Sequence, residues 1–311
     1  MKKLTRHGLF RALAVVGTVA AVGMLSAPVS AEELTGTLKK IKETGTITVG
    51  HRDSSIPFSY YDANQKPIGF AMDICARVVD AVKQKLAMPD LKVNYALVTS
   101  ANRIPLMTNG TIDLECGSTT NNAARKQQVD FANTYFLTAS RYVTLKTSKI
   151  HSIADLKGKT VVSTAGTTNI VQLNNVNNEQ KLGINVVSAP GHAESFLMVQ
   201  TGRATAFVMD DVLLASLAAS AKDPDAFELP PGAFSKPEPY GIMIRRDDPQ
   251  FKAVVNEATA KLYTSPEIET LYNKWFMSPI PPNNINLKLP LSAELKKAFA
   301  HPSDSPNPAD Y

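Results

Sequence analysis

Apolar positions along the chain follow two spacings in turn, and this alternation predicts a series of strands and helices. Residues 46–49 and 93–98 have the length of buried strands, whereas Ile74, Val78 and Val82 recur at the spacing of one helix face. Strands are predicted at 46–49, 93–98, 112–116, 160–163, 185–188, 204–209 and 240–244. Helices are predicted at 69–85, 103–108, 169–182, 193–201, 212–221, 249–263 and 266–276, with one more around Arg125.

Two connections divide this series. A polar, extended crossing is expected at 136–147, and a linker with five prolines at 223–239. Two βα series joined in this way predict an α/β protein with two doubly wound lobes and a cleft between them. The polar, proline-rich residues 301–311 are expected to form a mobile tail.

The first residues have the pattern of an export signal. A basic start precedes an apolar run at 13–25, and small residues at 29–31 form a cleavage site. The apolar run is shorter than the roughly 20 residues of a membrane span, and no cysteine follows it closely. We therefore predict a signal peptide at 1–31 and a mature protein that is free in the periplasm, without a lipid anchor.

Removal of this segment changes what the charge implies. The whole chain has a formal net charge of +5, but residues 1–31 hold four basic and no acidic residues, so the remainder carries +1. No basic cluster interleaved with aromatic residues is present either. These observations exclude nucleic acid as an expected partner. At 44% hydrophobic residues the chain has enough apolar side chains for two ordinary cores.

Polar side chains follow each predicted strand. Ligands of open α/β sheets bind outside the carboxyl ends of the strands, so these side chains are expected to face one cleft. They include Arg52, Ser100, Arg103, Ser118, Thr120, Thr168, His192, Asp210 and Asp211. The two guanidinium groups suit the two carboxylates of an acidic amino acid, and a carboxylate suits its ammonium group.

Three segments carry a family resemblance. They are GHR at 50–52, SANR at 100–103 and ECGSTTNN at 115–122. The chain resembles the periplasmic amino-acid solute-binding proteins of ABC transporters (family 3), and within them the glutamate/aspartate-binding members. This resemblance implies a type II periplasmic binding protein with a two-strand hinge. It also implies that lobe 1 is discontinuous (32–136 and 240–300) around lobe 2 (137–239).

The resemblance further implies a role for each candidate residue. Arg103, with Thr168, is expected to bind the α-carboxylate, and Asp210 the ammonium group, with further hydrogen bonds from Ser118 and Thr120. Arg52, backed by Ser100 and His192, is expected to bind the side-chain carboxylate. Asp211 remains the alternative to Asp210, and glutamate cannot be separated from aspartate because they differ by one methylene group.

The expected function is binding without chemistry. The sequence contains no HExxH, P-loop or CxxC motif, and we predict neither an enzyme nor a cofactor or metal. By resemblance, a monomer closes on its ligand and delivers it transiently to an inner-membrane ABC permease. The alternatives are a binding protein for another amino acid or dicarboxylate, a cyclohexadienyl dehydratase-like enzyme, and a sensory module.

The two cysteines leave one question open. Cys75 falls on a predicted helix and Cys116 at the end of a predicted strand. An oxidising compartment permits a disulfide between them, but the sequence does not distinguish this bridge from two free thiols.

Overall fold

A computed structural model describes residues 33–311, and the expected signal peptide lies outside the described residues. The helices are α1 (Gly36–Thr44), α2 (Phe70–Leu86), α3 (Arg103–Thr108), α4 (Thr168–Glu179), α5 (His192–Gln200), α6 (Asp211–Ala219), α7 (Pro249–Tyr263), α8 (Glu267–Tyr272) and α9 (Ala293–Ala300). The strands are β1 (Thr46–His51), β2 (Ser54–Ser55), β3 (Ser59–Tyr61), β4 (Pro67–Ile68), β5 (Lys92–Leu97), β6 (Leu114–Glu115), β7 (Val129–Thr138), β8 (Ser140–Leu145), β9 (Thr160–Thr164), β10 (Asn185–Ala189), β11 (Ala206–Asp210), β12 (Phe227–Glu228) and β13 (Glu238–Arg245). No helix in this part of the chain is long and apolar enough to cross a membrane.

One five-stranded sheet organises the first lobe. Its order is β5-β1-β6-β13-β7, with β1 parallel to β5 and β6, and β13 antiparallel to β6 and β7. The predicted inner face of α2 is confirmed, since Ile74, Val78, Val79 and Val82 are all buried. Aromatic rings fill the core beside it, where Phe136 stacks on Phe276 at 5.2 Å between ring centroids.

A second five-stranded sheet organises the other lobe. Its order is β10-β9-β11-β8-β12, with β9, β10 and β11 parallel. Helices α4, α5 and α6 each follow one of these strands directly, so their N-termini lie at the carboxyl ends of the strands. The expected mixed α/β fold with two doubly wound sheets is therefore confirmed.

The chain passes between the sheets twice. Strand β7 in the first sheet leads through Ala139 directly into β8 in the second, and β13 returns the chain to the first sheet after β12. The crossing expected at 136–147 is extended over most of its length, since residues 136–138 end β7 and residues 140–145 form β8, whereas residues 146–147 begin a 3-10 turn. Most residues of the two strands are buried.

Several other expectations need correction. The strand expected at 112–116 spans only Leu114–Glu115, and the helix expected around Arg125 is one 3-10 turn at Arg125–Gln127. The Arg125 backbone N–H donates to Asn122 Oδ1 where the turn begins, and the turn is short because the chain enters β7 at Val129. The patterns also missed α1, α9 and the small antiparallel sheet β2-β3-β4.

The last residues contact the first lobe. Asp304 forms ion pairs with Lys126 and Lys252, and the Thr134 backbone N–H donates to the Ser303 carbonyl oxygen. The Tyr311 hydroxyl lies 2.7 Å from Thr134 Oγ1. The mobility expected for residues 301–311 stays a prediction.

Cys75 on α2 and Cys116 after β6 form a disulfide, with their Cα atoms 6.3 Å apart. Both cysteines are buried. The bridge therefore ties the outer helix of the first lobe to the strand end that leads into Ser118 and Thr120.

Replacing both cysteines with serine is expected to lower the free energy of unfolding by about 4 kcal/mol, because the bridge closes a long loop in the unfolded chain. Urea unfolding measures this difference. The native protein with reductant should match the double variant, and the variant should not respond to reductant. Equal stability with and without the bridge would contradict the prediction.

Glu238 occupies the point where the chain returns to the first sheet. Its Oε1 accepts a hydrogen bond from Gln172 Nε2 on α4 at 2.6 Å. Burial, followed by the negative charge of Asp210, raises the pKa of Glu238 to about 7, although Arg125 acts in the opposite direction. Glu238 Oε2 and Gln172 Oε1 are both buried without a hydrogen-bond partner among residues 33–311. Both of these oxygens are acceptors without a donor, and protonation of the Glu238 carboxyl provides one.

Because the folded-state pKa is raised, the protonated carboxyl contributes its full stability below the ordinary glutamate pKa, and this is lost as pH rises through about 7. Glu238→Gln should therefore raise the melting temperature relative to wild type at about pH 8 and show a much smaller gain at about pH 5.5. Glu269→Gln, at an exposed position of α8, is the control and should show no such difference. An equal gain from Glu238→Gln at both pH values would contradict the assignment.

Candidate functional site

The strand ends of both sheets meet at one polar pocket. Seven of the eight residues predicted for ligand binding line it: Ser100, Arg103, Ser118, Thr120, Thr168, His192 and Asp210. Arg125, Thr167, Asn169 and Met209 complete the lining, and the sequence analysis did not select them. Thr167 and Asn169 flank Thr168, and Met209 precedes Asp210. Their place at the same strand ends could have predicted them.

Arg52, the eighth predicted residue, lies directly behind this lining. Its Nη2 donates to Ser100 Oγ at 3.0 Å and lies 3.4 Å from His192 Nε2. Its Nε and Nη1 are buried and have no hydrogen-bond partner among the described residues. Burial and the nearby charge of Arg103 lower the pKa of Arg52 to about 10, so the guanidinium stays charged at neutral pH. Arg52 is therefore a buried cation whose Nε and Nη1 donors are available to a ligand.

His192 is held as a neutral hydrogen-bond relay. Burial, then the charges of Arg52 and Arg103, lower its pKa well below the usual range. Because a guanidinium can only donate, His192 Nε2 accepts from Arg52 and the ring proton resides on Nδ1. That proton is donated to Thr164 Oγ1 at 2.9 Å, and Thr164 lies 3.0 Å from Ser195 Oγ. The relay fixes the ring without adding a positive charge to the pocket.

Arg103 is supported by a buried carboxylate that the sequence analysis missed. Arg103 Nη1 donates to the Ser118 carbonyl oxygen (3.2 Å) and to Thr119 Oγ1. Thr119 in turn donates to Glu115 Oε2 at 2.5 Å, and Glu115 Oε1 lies 4.0 Å from Arg103 Nη1. Glu115 is completely buried. Its position just before GSTT was the available signal, since a buried cation at a helix start needs an anion.

Asp210 faces the pocket, whereas Asp211 does not line it. Asp210 accepts hydrogen bonds from Asn169 Nδ2 (2.8 Å) and from the Tyr240 hydroxyl. Burial raises the pKa of Asp210, and these two hydrogen bonds oppose the rise. Asp211 instead accepts from Thr138 Oγ1 and from the Val212 backbone N–H, both at 2.7 Å. Of the two carboxylates, only Asp210 is placed to meet a group inside the pocket.

Arg125 connects the two lobes beside this pocket. Its Nη1 donates to the Thr120 carbonyl oxygen at 2.9 Å and its Nη2 to the Gly166 carbonyl oxygen at 3.4 Å. Burial, followed by the charge of Arg103, lowers its pKa to about 9. Thr120 and Thr168 also approach across the cleft, with 3.5 Å between their hydroxyl oxygens. The lobes are therefore in contact around the pocket.

The charges of the site do not balance. The lining contains the guanidinium groups of Arg103 and Arg125 and the carboxylate of Asp210, and His192 is neutral. Adding the side chains behind the lining, Arg52 and Glu115, keeps the same excess of one positive charge. A ligand with a net charge of −1 would neutralise it. No group of three or more His, Cys, Asp or Glu side chains within residues 33–311 is arranged to hold a metal ion.

Comparisons with known proteins agree with this architecture. The family described as bacterial extracellular solute-binding proteins, family 3, matches residues 47–278. The L-glutamate/L-aspartate-binding protein of Pseudomonas aeruginosa is 52% identical over 293 residues, which are 93% of this chain and 96% of that protein. The glutamate/aspartate import solute-binding protein of Escherichia coli is 47% identical over 293 residues, 94% and 97% of the two chains.

Solved structures show the same fold. A crystal structure of the solute receptor for L-cysteine of Neisseria gonorrhoeae aligns with a TM-score of 0.67 and 28% identity. The alignment covers 78% of this chain and 94% of that one. On the family match and these identities, the chain belongs to the bacterial extracellular solute-binding proteins of family 3.

Proposed function

We propose that this protein captures glutamate and aspartate in the periplasm and delivers them to an ABC permease. The observation that carries the proposal is the buried excess of positive charge around Arg52, which among the described residues has unpaired donors and side-chain hydrogen bonds only with the neutral Ser100 and His192. The names of the two relatives, one a glutamate/aspartate import protein, support the same ligand and an import role. Both relatives are binding proteins, and the chain is a binding protein rather than an enzyme.

Arg103 and Asp210 suit the part of the ligand that all amino acids share. Arg103, whose charge is offset by Glu115, would bind the α-carboxylate together with Thr168 and the backbone N–H groups at the start of α4. Asp210 would bind the ammonium group, with Ser118 and Thr120 supplying further hydrogen bonds. After this assignment one positive charge of the pocket remains, and the side-chain carboxylate of the ligand would neutralise it.

Arg52 is the residue that would select an acidic side chain. Among the described residues, no carboxylate lies within salt-bridge distance of its guanidinium, and its side-chain partners are Ser100 and His192. A carboxylate at this point gains charge-assisted hydrogen bonds that an amide cannot match. Glutamine and asparagine are therefore expected to bind more weakly than glutamate and aspartate.

Closure of the cleft would couple binding to delivery. Arg52 and Arg103 belong to the first lobe, and His192 and Asp210 to the second, so a ligand makes all its contacts only when the lobes meet. The closed form would then be the one that a permease recognises. We expect the binding protein itself to act as a monomer, released into the periplasm after loss of residues 1–31.

The first test is calorimetric titration of the refolded, ligand-free protein with glutamate, aspartate, glutamine, asparagine and succinate. Both acidic amino acids should bind at micromolar dissociation constants or tighter, about −8 kcal/mol or beyond. Equal binding of succinate would remove the ammonium site at Asp210. Strongest binding of glutamine would overturn the proposed specificity.

Two variants complete this test. Arg52→Gln should weaken glutamate binding by roughly 100-fold and reduce the preference over glutamine, because charge-assisted hydrogen bonds are lost. Arg103→Gln should abolish binding of every amino acid in the set. Loss of glutamate binding alone in Arg103→Gln would show that the roles of the two arginines are exchanged.

A glycine in the lobe contact allows closure itself to be tested. Gly166 has φ +76°, and a Cβ atom there would lie 2.5 Å from Ala101 Cα on the opposite lobe. Gly158 in the same lobe has a similar φ of +69°, and a methyl group added there would meet open space. Both alanine variants carry the same kind of backbone strain, so their difference isolates the contact between the lobes.

Gly166→Ala should therefore weaken glutamate binding at least tenfold more than Gly158→Ala, with similar melting temperatures for the two variants. Titration calorimetry and thermal unfolding provide the two measurements. Small-angle scattering should show a smaller ligand-induced decrease in the radius of gyration for Gly166→Ala. Equal affinities of the two variants would argue against a tight lobe contact in the bound state.

A further inference from the structure

The end of the chain lies against the segment that carries Thr120 and Arg125. Residues 303–311 follow α9, and they fall outside the family match at 47–278. Their contacts are made with residues 121–134 and with α7 of the first lobe. They therefore contact the segment that directly follows Thr120 of the ligand pocket.

Asn121 is the first link between this end and the pocket. It directly follows Thr120 and is completely buried. Its side-chain amide donates to the carbonyl oxygens of Asp304 (2.9 Å) and Ser305 (3.4 Å). Its backbone N–H donates to the Pro239 carbonyl oxygen at 2.8 Å, beside the lobe crossing. The amide donors of Asn121 are thus satisfied by the end of the chain.

Asp304 is the second link, through a cluster of alternating charges. Its Oδ2 accepts from Lys126 Nζ at 3.1 Å and from Lys252 Nζ at 2.6 Å. Lys252 also contacts Asp130 at 2.8 Å. Burial acts to raise the pKa of Asp304, but the hydrogen bonds from Lys252 and Lys126 prevail and lower it. All four side chains are partly buried, so the pairs are less screened than surface pairs.

Tyr311 fixes the course of the segment between these links. Its hydroxyl lies 2.9 Å from the Ser305 carbonyl oxygen and 3.2 Å from that of Ser303. The same hydroxyl contacts Thr134 Oγ1 on β7, and the Thr134 backbone N–H donates to the Ser303 carbonyl oxygen. The last residue of the chain therefore holds Asp304 in place beside Lys126.

We propose that residues 303–311 form a positioning strap that holds the 120–125 segment in its ligand-binding conformation. Asn121 directly follows Thr120, and Lys126 directly follows Arg125. Arg125 spans the cleft to the Gly166 carbonyl oxygen. The 3-10 turn carrying Arg125 is only three residues long, so it has little stability of its own. If residues 303–311 hold this turn in place, ligand binding does not have to order it, and the entropy cost of binding is smaller. This inference rests on the proposed function, because the strap would act through the ligand pocket.

The first test compares Asp304→Asn with Asp310→Asn in the full mature chain. Asp310 lies in the same segment, but within residues 33–311 its side chain bonds only to Ser305 and Asn307 of the strap itself. Asp304→Asn should raise the dissociation constant for glutamate about five- to tenfold, and Asp310→Asn less than about twofold. Equal dissociation constants for Asp304→Asn and wild type would overturn the strap. Failure of wild type to bind either acidic amino acid would instead refute the proposed function.

A double-mutant comparison separates positioning from general stability. Asp304→Asn is also introduced into Arg125→Gln, and glutamate affinity and melting temperature are measured for all four proteins. If the strap acts through Arg125, Asp304→Asn lowers the melting temperature in both backgrounds but changes the dissociation constant much less in Arg125→Gln. The same fold-change in both backgrounds would overturn the proposed route.

Hydrogen exchange provides a readout that needs no ligand. In the ligand-free protein, Asp304→Asn should speed amide exchange in residues 120–127, with α1 unchanged as an internal reference. Asp310→Asn should exchange as wild type does. Unchanged exchange of residues 120–127 in Asp304→Asn would overturn the proposal, whatever the affinity shows.

Discussion

The burial of three guanidinium groups around one pocket is the constraint on which the site depends. Arg52, Arg103 and Arg125 are each less than a tenth exposed. Removing charges from water costs several kcal/mol per ion unless partners replace the lost hydration. Glu115 and Asp210 supply part of that replacement, and one positive charge remains. The closed cleft therefore favours an anion over a neutral molecule of the same shape.

The same constraint links charge to motion. All three arginines belong to the first lobe, and the second lobe contributes Asp210 and the neutral ring of His192. Closing the lobes removes water from around the arginines, and burial, followed by the charge of Arg103, lowers the pKa values of Arg52 and Arg125. A bound ligand would contact these arginines together with His192 and Asp210 only in the closed form, so it would stabilise that form. Protonation of His192 would add a fourth positive charge, and burial, followed by the charges of Arg52 and Arg103, keeps its pKa well below the usual range.

How far the sequence could predict the structure depends on which contacts are local. Helix α2 could be predicted because its inner face follows from the spacing of Ile74, Val78 and Val82, and the pocket because strand ends of open sheets converge. The structure placed seven of eight predicted residues in the lining and Arg52 directly behind it. The roles of these residues in ligand binding stay predictions.

The missed features arise from contacts between distant parts of the chain. Glu115 can be interpreted equally well as an ordinary strand residue, and only the fold brings Arg103 and Thr119 against it. The contact of Arg125 with the Gly166 carbonyl oxygen joins opposite lobes, and the sequence does not show that these residues meet. The proline-rich end has no periodicity, yet the hydroxyl of Tyr311 and the carboxylate of Asp304 find partners on β7 and α7. Composition describes only what a segment does alone, whereas the carbonyl oxygens of Asp304 and Ser305 accept hydrogen bonds from the buried side chain of Asn121, more than 180 positions away.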